Sequence, residues 1–316
     1  MKLDRYGRFI SRGLRGDRSF RLILVLLVLS IAWWALDTAG KNPGTQTGHI
    51  HAKDLTEISG IVLSRQNKNV IWAHNDSGDQ ARIFALRTDG KPLGVFRLEG
   101  TTAIDWEDIA IGPGPLAEKD YLYIADTGNN ALSRRTVTIY RVPEPTVDTT
   151  TTSRTQTLTG VEALPMRFPS EPRECETLLV DPLNGDIYLV TRDRSERTKE
   201  VASVFHAPGP HRGGSLQTLK ALTSFVPPAS IRGGDISRDG GLVILRSHSL
   251  RPERGALLWK RSDPSSPLHE IFSDEPINLT VRSEPQGESI AFSPDGDFFF
   301  TVSEGSQAPI YRYEVP

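Results

Sequence analysis

A five-residue phrase recurs along this chain. It reads Glu57-Ile-Ser-Gly-Ile61, Asp105-Trp-Glu-Asp-Ile109, Glu174-Cys-Glu-Thr-Leu178, Arg232-Gly-Gly-Asp-Ile236 and Gln286-Gly-Glu-Ser-Ile290. Each copy has a polar or acidic residue, two spacers, a small polar residue and an aliphatic one, followed by a short turn and a β-branched or aromatic run. A phrase returning at intervals of roughly 50–70 residues marks a repeat architecture, in which each unit buries its apolar face only against its neighbours. That constraint settles the fold class before any single element is examined.

Between the phrases lie short β-prone runs punctuated by Asp-Gly, Pro-Gly, Asn-Gly and Ser-Gly turns, with no long helical periodicity. The first unit holds runs at 58–63, 70–74, 82–87 and 93–98. The second holds 108–111, 121–125, 137–142 and a strand within 156–168, after a threonine-rich connector at 146–152. The third holds 177–180, 186–191, 203–206 and 216–225, and the fourth holds 234–237, 242–246, 256–260 and 271–281. The fifth has only 289–292, 297–302 and 310–315. Residues 48–55 stand ahead of unit one, placed to supply the missing strand and to close a ring without exposed edges. The expectation is an all-β, five-bladed β-propeller closed by an N-terminal strand. A six-bladed ring, with 143–173 forming an irregular blade, is the alternative.

Hydrophobic content of 37% and a net charge of −2 exclude a disordered chain and a strongly basic nucleic-acid binder. The charge is unevenly spread. Residues 1–21 carry seven basic residues against Asp4 and Asp17, so the remainder is net acidic. Behind this basic segment, residues 22–36 are uncharged and apolar, and 22–40 approaches the ~20 residues that a membrane-spanning helix needs. The positive-inside bias keeps 1–21 cytoplasmic. The expectation is therefore a transmembrane signal anchor at 22–40, a tether at 41–48 and the propeller at 49–316, periplasmic or extracellular. A signal peptide cleaved near residues 37–39, giving a secreted protein, is the alternative. The single cysteine, Cys175, excludes an internal disulfide framework.

In a propeller, the loops entering the innermost strands and those joining second to third strands share one face. The phrase thus gathers Glu57, Asp105, Glu107, Glu174, Glu176, Asp235 and Glu288 at one mouth of the channel. The second loop family adds Asn75, Asp76, Asp126, Asn129, Asn130, Arg192, Arg246, His248 and Glu304. Carboxylates crowded near one axis repel each other unless a cation or basic ligand is held or some stay protonated. Oxygen-only donors suit a hard cation such as Ca²⁺ better than zinc. The expected metal set is Glu57, Glu107, Glu174, Glu176, Asp235 and Glu288. The expected polar-ligand set is Asn75, Asp76, Asp105, Asp126, Asn129, Asn130 and His248. The competing role for each acid is structural: holding backbone amides of the next blade and locking the ring. Cys175 reads as a small buried hydrophobe, and Trp72 and Trp106 as packing between blades. There is no CxxC, HExxH, P-loop or dinucleotide fingerprint, and no Gly-x-Ser-x-Gly elbow.

Glu57-Ile-Ser-Gly-Ile61, the run from Asn75, Asp105-Trp-Glu-Asp-Ile109 and Tyr123-Ile-Ala-Asp-Thr-Gly-Asn-Asn130 resemble exported bacterial propellers near the phytase-like or "esterase-like" group. More distantly they resemble the calcium-dependent, gluconolactonase-like propellers. The resemblance spans roughly residues 50–316 and is best in the first two blades. It implies that Glu57 takes the part of a calcium-holding Glu, and Asn129 or Asn130 that of an Asn. Blades three to five offer no counterpart of the remaining ligands or of the Asp base. The expectation is an extracytoplasmic binding module for a cation or small polar ligand. A calcium-dependent hydrolase of ester, lactone or phosphoester bonds, or a scaffold for partner proteins, are the alternatives.

Overall fold

The computed structural model describes residues 44–150, 154–193, 200–248 and 251–316. The basic segment, the apolar run at 22–40 and the first residues of the expected tether lie outside these. Among the described residues, no helix is long and apolar enough to cross a membrane.

The runs of apolar and β-branched residues form strands, and the strands form five sheets. The chain enters through β1 (Thr45–His49). Blade one is β2 (Ile58–Leu63), β3 (Val70–Asn75), β4 (Arg82–Arg87) and β5 (Pro92–Leu98). Blade two is β6 (Trp106–Pro113), β7 (Asp120–Asp126), β8 (Val137–Pro143) and, past β9 (Arg154–Leu158), β10 (Glu162–Arg167). Blade three is β11 (Cys175–Val180), β12 (Ile187–Thr191), β13 (Ala202–Ala207) and, past the short β14 (Gln217–Thr218), β15 (Lys220–Phe225). Blade four is β16 (Ser230–Ile236), β17 (Leu242–His248), β18 (Ala256–Lys260) and β19 (Ile277–Leu279). Blade five is β20 (Gly287–Phe292), β21 (Phe298–Ser303) and β22 (Pro309–Glu314), with β1 as its outermost strand.

The first strands of the blades touch in a closed circuit, β2 to β6 to β11 to β16 to β20 and back to β2. The ring therefore has five blades. Residues 143–173 make no sixth blade: β10 pairs with β8 as the fourth strand of blade two, while β9 runs parallel to β5 on the edge of blade one. The connector before β9 is not wholly solvated either, since Val147 is buried and its amide donates to Asn67 Oδ1 at 2.8 Å. Buried clusters fill the spaces between adjacent blades, with Trp72 and Trp106 together between blades one and two. Fully burying side chains of this size contributes roughly 1.5–3 kcal/mol or more each, so the inter-blade seams dominate stability.

The closing strand lies earlier than 48–55. β1 pairs antiparallel with β22, from Thr45 opposite Arg312 to His49 opposite Pro309. Its Thr-Gln-Thr sequence suits an outer edge that needs no continuous apolar face. Ile50 and Leu55 instead drop into the core between blades one and five. The Asp89–Gly90 turn crosses β1 closely: Gly90 has φ +85°, and a Cβ there would collide with the His49 carbonyl oxygen.

All five inner strands share one irregularity that positions the site. Each is bulged near its start, leaving Ser59, Glu107, Glu176, Arg232 and Glu288 as the extra residues. In blade four this register lies two residues earlier than the phrase suggested. Arg232 occupies the position of Glu107 and Glu176, and Asp235 lies deeper, opposite Ile244. The Gly-Gly pair carries no side-chain pattern, so the sequence alone gave nothing to count the bulge from.

Candidate functional site

A bulge re-aims one side chain while the strand continues, and five equivalent bulges bring their residues together at one end of the ring. Ser59 Oγ donates to the Glu107 carbonyl at 2.6 Å. Carboxylate oxygens of Glu107, Glu174 and Glu176 lie within 4.8 Å of one another, and so do those of Asp76, Asp105 and Glu107. Glu107 belongs to both groups, so five carboxylates from blades one, two and three form one chain. Arg232 Nη1 then bridges Glu176 at 3.2 Å and Glu288 at 3.1 Å.

This gathering carries an electrostatic cost that raises the pKa values of several of the acids. Burial and the facing Asp76 push Asp105 up to about 6. Burial and Glu176 push Glu174 up to about 7. Glu288 is pushed up to about 8, again by burial and then by Glu176. Glu107, buried and facing Glu176, Asp76 and Asp105, lies well above the usual carboxylate range. Desolvation and like charge act in the same sense here.

Two arginines offset part of the charge, both at Glu176. Arg192 Nη2 meets Glu176 Oε1 at 2.7 Å, and Arg232 approaches both Glu176 oxygens at 3.2 Å. The acids on the other side, Asp76, Asp105, Glu107 and Glu174, have no such close arginine among the described residues; Arg192 comes only within 4.0 Å of Glu174. One Glu174 oxygen is buried without a hydrogen-bond partner. Gly128 makes room for the group, because a Cβ there would collide with Glu107 Oε1 and the Asp105 carboxylate.

The donor set fits a hard divalent cation. Two oxygens bound to one calcium ion at ~2.4 Å lie at most about 4.8 Å apart, and the oxygens of each group fall within that limit. Asp76, Asp105, Glu107 and Glu174 are the residues that could hold such an ion.

The other residues singled out from the sequence fall elsewhere. Asn75 is committed to the loop, its Oδ1 accepting the Thr56 and Glu57 amides and its Nδ2 donating to Asp54 and Asp79. Asp126 accepts the Ile104 and Asp105 amides and pairs with Arg134 at 2.7 Å. Asn129 Oδ1 accepts the Ser133 and Arg134 amides, while its own backbone amide donates to Glu174 Oε2 at 2.7 Å. These three residues shape the loops that carry the acids. Glu57 is exposed and belongs to neither carboxylate group. Asn130 is exposed and accepts from Arg192 at 3.2 Å. His248 is half-buried on the arginine side, its pKa lowered by burial and then by Arg232 and Arg246. Cys175 is fully buried in the core between blades two and three.

Asp235 and a residue outside both expected sets, Asp108, lock the ring. Asp235 accepts the amides of Ile236 and, on blade five, Phe292, both at 2.8 Å. Asp108 accepts its neighbour Ile109 at 2.9 Å, Leu178 of blade three at 3.0 Å and Gly234 of blade four at 3.3 Å. It reaches across the axis because Gly60 and Gly233 hold the equivalent positions on their own blades and present no side chain. The signal for Asp108 was its place in the phrase, one residue after Glu107. Arg232 carried no comparable signal, since its partners Glu176 and Glu288 come from blades three and five.

No protein-family model matches this sequence, nor does any curated protein. Similar solved structures include hydrazine synthase of Kuenenia stuttgartiensis, at 11% identity over 84% of this chain and 97% of that one, with a TM-score of 0.43. Raptor of Chaetomium thermophilum matches at 10% identity over 86% of this chain and 29% of that one, TM-score 0.42. XC5397 of Xanthomonas campestris, described as a gluconolactonase, matches at 12% identity over 82% and 72%, TM-score 0.43. At such values none of them transfers a ligand or a reaction to this chain. The class defined by the architecture itself is a five-bladed β-propeller.

Proposed function

We propose that this propeller is an extracytoplasmic binding module whose acidic mouth takes a divalent cation, Ca²⁺ by its donor chemistry, together with a small polar ligand. The observation that carries the reading is the pair of carboxylate groups sharing Glu107; of their five members, Glu107 and Glu174 are buried with raised pKa values, Glu174 to about 7. A bound cation removes the repulsion that burial otherwise imposes. The apolar run at 22–40, behind seven basic residues, anchors the module in a membrane.

The test is a calcium titration of the full-length chain in mild detergent, followed by thermal melting with and without chelator. Calcium raises the melting temperature by mass action, and Glu107→Gln with Glu174→Gln abolishes that rise while the double variant still folds. A melting curve indifferent to calcium and chelator sinks the reading. A second reading, calcium-dependent hydrolysis, is favoured by the same carboxylate groups, since a cation held there would polarise a substrate oxygen and activate water. Absence of turnover on ester, lactone and phosphoester panels with calcium present removes it.

A further inference from the structure

The end of the ring that carries the acids has a second, oppositely charged side. Beyond Glu176 and Glu288, Arg232 opens onto a cavity of about 590 Å³ lined also by Glu200, Ser230, His248 and Arg254, with Pro227 and Pro228 among its wall. That volume falls in the range of small-molecule pockets.

Three features of this cavity are unspent by the fold. Ser230 is only 7% exposed, yet its hydroxyl has no hydrogen-bond partner among the described residues. Arg232 uses Nη1 on Glu176 and Glu288, while its buried Nε is unpartnered. Arg254 is exposed and has no acidic partner among the described residues. His248 is held neutral by burial and the neighbouring arginines, so it offers one donor and one acceptor without adding charge. A buried hydroxyl left without a partner is costly. Ser230, Arg232 and Arg254 line the same cavity, so an oxyanion held in it would have donors from all three.

We propose that this cavity is an oxyanion subsite: it takes the carboxylate, phosphate or sulfate end of a small ligand. The inference rests on the reading of this mouth as a ligand site and adds the ligand's charge. The ligand spans a bipolar site, with electron-rich oxygens on the cation held by Asp76, Asp105, Glu107 and Glu174, and an anionic end among Ser230, Arg232 and Arg254. Glu176, gripped by both Arg192 and Arg232, divides the two halves. The buried, unpartnered Glu200 Oε2 lies in the same lining and favours an oxyanion that still carries a proton, so hydrogen phosphate is expected to bind more tightly than sulfate or succinate.

The experiment is calorimetric titration of the full-length chain in detergent with succinate, inorganic phosphate and sulfate separately, each with calcium present and with chelator. The anion that binds most tightly identifies the source of the charge. Arg254→Gln, at an exposed position, removes one charge-assisted contact and weakens that anion about tenfold or more. Ser230→Ala weakens it to a smaller degree. Both variants keep the calcium-induced rise in melting temperature. Binding that is unchanged in both variants, or no binding of any of the three anions to the calcium-loaded chain, overturns the subsite. An anion that binds in chelator, to a chain that takes no calcium, upholds the subsite and refutes the cation reading. Calcium binding without anion binding does the reverse.

Discussion

Replacing Asp108 by alanine tests whether the ring is held by one carboxylate at its axis. The side chain is 1% exposed and accepts three amides, two of them from blades three and four. Deleting it strands the Leu178 and Gly234 amides in a buried setting, at roughly 1–3 kcal/mol each. Against this stands the relief of no longer burying a carboxylate, which burial pushes well above its ordinary range. The net loss is about 2–4 kcal/mol. For a domain of this size each kcal/mol moves the melting temperature by roughly 2–4 °C, so a drop of about 5–15 °C is expected. Asparagine recovers only part of it, because its nitrogen must face an N–H wherever its oxygen is placed. Urea unfolding followed by far-ultraviolet circular dichroism gives the free energy directly. A variant melting within about 1 °C of the wild type refutes the argument that Asp108 ties blades two, three and four.

Glu176→Gln behaves unlike Glu107→Gln, although the two glutamates occupy equivalent bulges. The first strands Arg192, whose side chain is 4% exposed, and Arg232, costing about 2–4 kcal/mol. The second removes a repulsion and leaves the cation-free melting temperature equal or higher; melts in chelator compare them, and a reversed order contradicts the assigned partners. The cation-free chain also loses stability as pH rises from 5 to 8. Asp105, Glu174 and Glu288 have folded pKa values of about 6, 7 and 8, raised above ordinary values of 3.8, 4.5 and 4.5. Below the ordinary values their contribution is fully present, and it is lost as pH passes through the folded ones. Calcium flattens that slope, and a melting temperature in chelator that rises between pH 5 and 8 contradicts the cluster's electrostatics.

The five-fold repeat, the strand content and the burial of Trp72, Trp106 and Cys175 were legible in the amino-acid order. They follow from period-2 apolar runs, turn residues and a recurring phrase, which are local properties. Local reading also placed Asp105, Glu107, Glu174 and Glu176 at one end of the ring, because equal positions in equal blades share a height. It did not extend to blade four, where a bulge shifts the register by two residues and puts Arg232 where an acid was expected. Nor could it divide the acids gathered at the mouth from those that lock the ring. Asp108 and Asp235 share the phrase's composition, but each lies where another blade's amides arrive, and those arrivals depend on ring closure. The pairing of Arg232 with Glu176 and Glu288, and the raised pKa values of Asp105 and Glu174, likewise join residues far apart in the chain. Charge spacing along a sequence says which groups exist, while desolvation and distance, which set their energies, come into being only when five blades close.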